Sequence, residues 1–187
     1  NDGKLTTTQI TNVGLVVNGG TVQLAPNGTP AGASSLNSLV LATDSNNVPL
    51  GSLDITNNSV SILAAADADP ISSIVGYLKT AYDKGAWDGA GIQSSAVASQ
   101  PGTGIGYVDG NTDTGTAAAS GIILVKDTWI GDVNLDGLIT PEDMSVLTSN
   151  FGKTGMDWAQ GDLNYDGVVN GDDWALFALG AAEFKAG

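Results

Sequence analysis

Two short segments of the chain carry carboxylate and amide side chains at the spacing of calcium-binding loops. The first runs from Asp132 to Asp143 and the second from Asp162 to Asp173. Each fits the pattern D-x-N-x-D-G-x-φ-x-x-x-D, where φ is apolar, and the two copies align at a period of 30 residues. Alternate residues of such a tight loop point inward, so that their oxygens converge on one hard cation. The spacing therefore predicts two calcium sites.

The predicted ligands occupy loop positions 1, 3, 5, 7, 9 and 12. Glycine at position 6 permits the sharp turn, position 7 offers its main-chain carbonyl, and position 9 adds a side chain or a bound water. Position 11 points away from the loop, so Glu142 and Asp172 are not predicted to bind. The first predicted site comprises Asp132, Asn134, Asp136, Leu138, Thr140 and Asp143. The second comprises Asp162, Asn164, Asp166, Val168, Asn170 and Asp173.

A helix is predicted directly after each loop. Pro141 suits the first helical turn, and an apolar face follows it at helical spacing. The second copy repeats this face thirty residues later. The face consists of Met144, Leu147 and Phe151 in the first copy, and of Trp174 and Phe177 in the second. Because no amphipathic helix precedes either loop, we interpret the repeats as loop-helix units and not as helix-loop-helix hands.

Composition excludes several classes of function. The net charge is −14, with six lysines against twenty acidic residues, so no face can neutralise the phosphates of a nucleic acid. The absence of Cys and His removes thiol catalysis, the usual zinc sites and the Ser-His-Asp triad. No apolar run approaches the length that spans a bilayer, so membrane insertion is not predicted. Oxygen-ligand chemistry with hard cations remains.

The residue pattern changes near residue 127, and we place a domain boundary there. Residues 1–126 are rich in Thr, Val and Gly and read as short strands, with one helix near residues 71–82. Residues 127–187 hold eleven of the twenty acidic residues. The predicted fold class is a mostly β N-terminal unit, either a sandwich or the end of a β-solenoid. A small α-helical domain with the two calcium loop-helix motifs is expected to follow it.

Residues Gly131–Gly180 resemble the type I dockerin family. The resemblance rests on the duplicated loop-helix unit, on Asp at position 12, and on the short linker of residues 152–160. It implies two bound Ca²⁺ ions and a cohesin-like protein partner. Dockerins of cellulosomes present Ser/Thr-type residues at loop positions 10 and 11, where this chain has Pro141, Glu142, Gly171 and Asp172.

The preceding region resembles a module found beside such ends in large secreted bacterial surface proteins. Residues 52–58, the helical segment 71–82 and residues 85–92 carry this resemblance, and residues 6–25 resemble the last turns of an autotransporter-type β-repeat. The resemblance implies a secreted protein, extracellular or on the cell surface. It implies no catalytic residues.

Three classes of function follow, in order of preference. The first is an extracellular, calcium-binding structural or adhesive module that assembles with copies of itself into a filament or layer. The second is a docking module that tethers a secreted protein to a cohesin-like partner. The third is a polysaccharide hydrolase with paired carboxylates. Because the acidic residues of residues 1–126 mostly stand at turns and helix ends, where they act as caps, we predict that the chain is not an enzyme.

Overall fold

The chain winds so that successive turns each contribute one strand to each of two sheets. A computed structural model describes residues 3–65 and 69–186. The strands within this part are β1 (Lys4–Thr7), β2 (Thr11–Val17), β3 (Gly20–Leu24), β4 (Ser34–Leu41), β5 (Gly51–Asp54), β6 (Ser59–Leu63), β7 (Ile92–Gln93), β8 (Thr103–Asp109) and β9 (Ile122–Trp129). The helices are α1 (Ile71–Tyr82), α2 (Pro141–Asn150) and α3 (Gly171–Ala186).

One of the two sheets is purely parallel, and the other combines parallel and antiparallel pairs in equal number. One sheet has the order β1-β3-β5-β7 and is parallel throughout. The other has the order β2-β4-β6-β9-β8, in which β2, β4 and β6 are parallel and β9 and β8 join antiparallel. The strands β1 and β2 form the open edge at one end of the stack, and β7 and β8 are the last strands at the other end.

The registers of the strands place apolar residues of neighbouring strands directly beside one another. Leu36 of β4 pairs with Ile62 of β6, which pairs with Ile123 of β9, and all three are buried. Leu53 of β5 likewise pairs with buried Ile92 of β7. Stacking β-branched and leucine side chains in this way removes a continuous strip of apolar surface from water, which stabilises the coil.

The helix α1 covers one side of the stack. Its residues Ile74, Leu78 and Ala81 are buried, in agreement with their helical spacing. The main chain of Gly91 lies against the main-chain oxygen of Tyr77 with φ +132°, a conformation and a proximity that only glycine tolerates. Hence β7 can start immediately beside the helix. Among the helices of the described residues, none is long and apolar enough to cross a membrane.

The predicted fold class is wrong. The chain has a mixed α/β fold with parallel and antiparallel pairing, and residues 131–186 do not form a separate small dockerin-like helical domain. Their apolar residues belong to the same hydrophobic core as those of the sheets. This shared set includes Val133, Leu135, Leu147, Trp158, Leu163, Tyr165, Val169 and Phe177. The repeat pattern defines each loop-helix unit locally but contains no information about the surface against which its apolar residues pack.

Candidate metal centres

The two predicted loops have the same hydrogen-bonded turn. In the first, the amide of Asp136 donates to Asn134 Oδ1 over 2.9 Å, and the amide of Gly137 donates to Asp132 Oδ2 over 3.0 Å. In the second, the equivalent bonds run from Asp166 to Asn164 over 2.9 Å and from Gly167 to Asp162 over 2.8 Å. Identical side-chain-to-amide bonds in both copies mean that the repeated residues determine the shape of the loop.

The same turn requires unusual backbone conformations. Leu135 and Tyr165, at position 4, have φ values of 61° and 65°, in the left-handed region that non-glycine residues rarely adopt. Gly137 and Gly167, at position 6, have φ values of 97° and 86°. A leucine and a tyrosine held in this region imply that the surrounding bonds and packing over-determine the loop, since the conformation itself is unfavourable.

The carboxylate at position 12 joins the beginning of each loop to its end. Asp143 accepts from the amide of Val133 over 3.0 Å and from the amide of Thr140 over 2.9 Å. Asp173 accepts from the amides of Leu163 and Asn170, each over 2.8 Å. These carboxylates lie in the first turn of α2 and α3, where the positive end of the helix dipole also favours negative charge.

The residues at position 9 serve as helix caps. Thr140 Oγ1 accepts from the amide of Glu142, and the main-chain amide of Thr140 donates to Asp143 Oδ2, which completes a capping box at α2. Asn170 Oδ1 accepts from the amide of Asp172 over 2.7 Å at the start of α3. Glu142 and Asp172 themselves are exposed. Sequence reasoning assigned Thr140 and Asn170 to cation binding alone and did not anticipate their capping bonds.

Four of the loop carboxylates are buried, which is costly for ionised groups. Asp132, Asp143, Asp162 and Asp173 are at most 3% exposed. Burial raises the pKa of Asp162 to about 6, and it also raises the pKa of Asp132 and of Asp173. Within residues 3–65 and 69–186, the one ion pair of these groups joins Lys126 Nζ to Asp132 Oδ2 at 4.0 Å. The loops therefore concentrate more buried negative charge than the described residues neutralise.

One carboxylate oxygen of the first loop has no partner at all. Asp132 Oδ1 is buried without a hydrogen bond, the only such side-chain atom in the described part of the chain. A buried unpartnered carboxylate oxygen is unfavourable unless a cation or an ordered water reaches it. An unpartnered carboxylate oxygen within an oxygen-only donor set is the kind of ligand that hard cations accept.

The remaining predicted ligands lie nearer the surface. Asp136 and Asp166 at position 5 and Leu138 at position 7 are exposed, whereas Asn134, Asn164 and Val168 are half-buried. Across the described residues, no group of three or more Asp, Glu, His or Cys side chains is arranged to hold a metal ion. The three aspartates of each loop thus do not converge as they stand, and their oxygens are occupied largely by main-chain amides.

Two polar residues that contact the first loop were not predicted from the sequence. Lys126 Nζ donates to the main-chain oxygen of Leu135 over 2.8 Å, and Thr128 Oγ1 donates to Asp132 Oδ2. Both residues belong to β9 and precede the repeat. The spacing of the loop residues therefore could not predict their contacts. Only the strand's path beside the loop brings them into contact with it.

A groove of about 570 Å³ runs beside β9 near the first loop. Its lining includes Gln100, Lys126, Asp127 and Trp129. Burial raises the pKa of Asp127 to about 7, although a hydrogen bond from Ser94 Oγ of 2.8 Å opposes this shift. Asp127 stands outside the predicted loops.

Comparisons of the chain with protein-family models, with curated proteins and with solved structures find no match. The residue pattern of Gly131–Gly180 is therefore the sole basis of the resemblance to dockerins.

Proposed function

We propose that the chain is a calcium-binding structural module of a secreted protein, with one Ca²⁺ site in each loop. The observation that carries this proposal is the burial of Asp132, Asp143, Asp162 and Asp173 beside a single ammonium group among the described residues. A divalent cation in each loop would offset the cost of desolvating these carboxylates.

Calcium is the cation that the donor set favours. Every predicted ligand atom is a carboxylate, amide, hydroxyl or main-chain oxygen, and the chain contains no His or Cys. Hard cations with flexible coordination accept such ligands, whereas zinc and other transition metals favour nitrogen and sulfur. Asp132, through its unpartnered Oδ1, and Asp143 would hold the ion of the first loop. Asp162 and Asp173 would hold the ion of the second loop.

A structural role follows from what the loops contact. Tyr165, in the second loop, donates its hydroxyl to the main-chain oxygen of Ile105 in β8 over 2.6 Å. Its ring lies 5.5 Å from that of Trp87 and 5.9 Å from that of Tyr107. A cation that orders the second loop would therefore also order the part of the hydrophobic core around Tyr165.

Calorimetric titration with calcium tests the proposal. We expect two sites in the unaltered chain and one site in each of Asp132→Ala and Asp162→Ala, because each change removes the carboxylate at position 1. Glu142→Ala and Asp172→Ala remove exposed acids in the first turns of α2 and α3, the helices that follow the loops. They are matched controls and should keep both sites. No binding by the folded chain, or loss of a site in either control, would overturn the assignment.

A second candidate function, association between copies, is favoured by the open edge of β1 and β2. Each strand pairs on one side only among the described residues, and Leu5, Val13 and Val16 are 63%, 48% and 60% exposed. Unpaired edges of this kind template pairing with another chain. Because β8 at the opposite edge is fully buried, edge pairing between two copies would join open edge to open edge.

Light scattering after size-exclusion chromatography tests this association. Val16→Lys should abolish any dimer, whereas Val48→Lys, which alters an exposed loop residue, is the control and should not.

A further inference from the structure

The two loops differ in one charged neighbour. Lys126 reaches the first loop from β9, and its ammonium donates to the main-chain oxygen of Leu135 at 2.8 Å and lies 4.0 Å from Asp132 Oδ2. Its side chain is 27% exposed, so solvent screens this charge only partly. The carboxylate that it faces is the fully buried one with the unpartnered Oδ1 atom.

The second loop has different partners at the equivalent carboxylate. Asp162 Oδ1 accepts from the amide of Asp166 over 3.1 Å, and Asp162 Oδ2 accepts from the amide of Gly167 over 2.8 Å. The residue thirty positions after Lys126 is Met156, an uncharged side chain of similar length. Among the described residues, no ion pair reaches Asp162.

We infer that Lys126 is a built-in counter-charge of the first loop, which weakens calcium binding there and makes the second loop fill first. The inference rests on the proposed calcium sites and adds their order of occupation. An ammonium beside a carboxylate ligand repels an incoming divalent ion, and in a partly buried position this repulsion is only weakly screened.

The same contact stabilises the first loop when calcium is absent. The ammonium offsets part of the charge of Asp132 and ties the left-handed residue Leu135 to β9. Replacing Lys126 with methionine removes the charge and preserves most of the side-chain volume. We therefore expect the first loop to bind calcium at least about tenfold more tightly in Lys126→Met, and to be less ordered before binding.

The test measures each loop separately by calorimetric titration of the 187-residue chain with CaCl₂. Asp162→Ala leaves the first site alone, and Asp132→Ala leaves the second. Lys126→Met is added to both backgrounds, with Lys126→Gln as a second neutral variant in case methionine impairs folding. Lys79→Met, an exposed residue of α1, is the matched control for the loss of one positive charge.

The expected result is a gain of about tenfold or more in the Asp162→Ala background and a change of less than about twofold in the Asp132→Ala background, with Lys79→Met neutral in both. Equal affinities with and without Lys126 in the Asp162→Ala background would overturn the inference while leaving the calcium sites in place. Absence of binding in every folded variant, including the unaltered chain, would instead overturn the proposed function itself.

Discussion

The indole Nε1 of Trp158 donates a hydrogen bond of 3.0 Å to the main-chain oxygen of Asp132. Trp158 lies in the linker between the two loops and is buried, and Asp132 is the first residue of the first loop. The linker therefore holds the first loop at its first residue, shortly after the end of β9.

The first prediction concerns Trp158 itself. Trp158→Phe removes the donor to Asp132 and leaves a buried carbonyl unsatisfied beside a small cavity, so we expect a loss of about 2–3 kcal/mol in the free energy of unfolding. Urea denaturation in saturating calcium measures it. Trp174→Phe alters a half-buried indole of α3 and should lose clearly less. Equal losses in the two variants would show that the bond to Asp132 contributes little.

The second prediction concerns Gly106 in β8. A Cβ at this position would lie 2.6 Å from Trp158 Cε2 and 2.7 Å from Leu135 Cδ2, so Gly106→Ala should force the linker or the first loop outward. We expect a destabilisation of about 1–3 kcal/mol from overpacking. Gly76→Ala on α1 is the matched control, because nothing lies within 4 Å of its added Cβ. That change should stabilise the chain by about 0.5–1 kcal/mol through helix propensity. A neutral Gly106→Ala would mean that the loop does not press on β8.

The third prediction concerns the pH dependence that Asp127 confers. Burial raises its pKa from the ordinary value of 3.8 to about 7, so the folded state binds the proton more tightly than the unfolded state does. This group's favourable contribution is present below about pH 4 and is lost as the pH rises to about 7. Asp127→Asn cannot ionise, and relative to the unaltered chain it should gain up to about 4 kcal/mol between pH 4 and pH 8.

Denaturation at a series of pH values, at constant calcium, measures this difference. Asp88→Asn, which alters an exposed carboxyl, is the control and should leave the pH profile unchanged. If Asp127→Asn follows the same profile as the unaltered chain, the carboxyl of Asp127 is not the source of the dependence.

The fourth prediction concerns removal of calcium. Because Tyr165 and Trp158 pack into the same core as the sheets, a chelator should lower the melting temperature of the whole chain in one transition. At calcium concentrations of about 100 times the dissociation constant, each site adds roughly 2.7 kcal/mol, which for two sites amounts to a shift of about 10–20 °C. Calorimetric scans with calcium and with excess chelator measure it. Two separate transitions would contradict a shared core, and an unchanged transition would contradict calcium binding.

The spacing of a few side chains is sufficient to specify the local structure of the loops. Asn134 and Asn164, Gly137 and Gly167, and Asp143 and Asp173 make the same bonds in both copies, because these bonds join residues within about ten positions of one another. The helices after the loops begin where Pro141 and Gly171 stand. Interactions of such short range depend on the spacing of a few side chains and need no knowledge of the remaining chain.

The surfaces against which these loops pack depend on contacts that are distant in the sequence. Trp158 approaches Gly106, Tyr165 reaches Ile105, and Lys126 reaches Leu135, so that residues 131–186 join the core of the sheets and do not form a helical domain of their own. Burial against any apolar surface removes an apolar side chain from water, since the hydrophobic effect is not directional. The periodicity of the repeats could therefore identify the side chains to be buried, whereas the path of β8 and β9 decided which partners bury them.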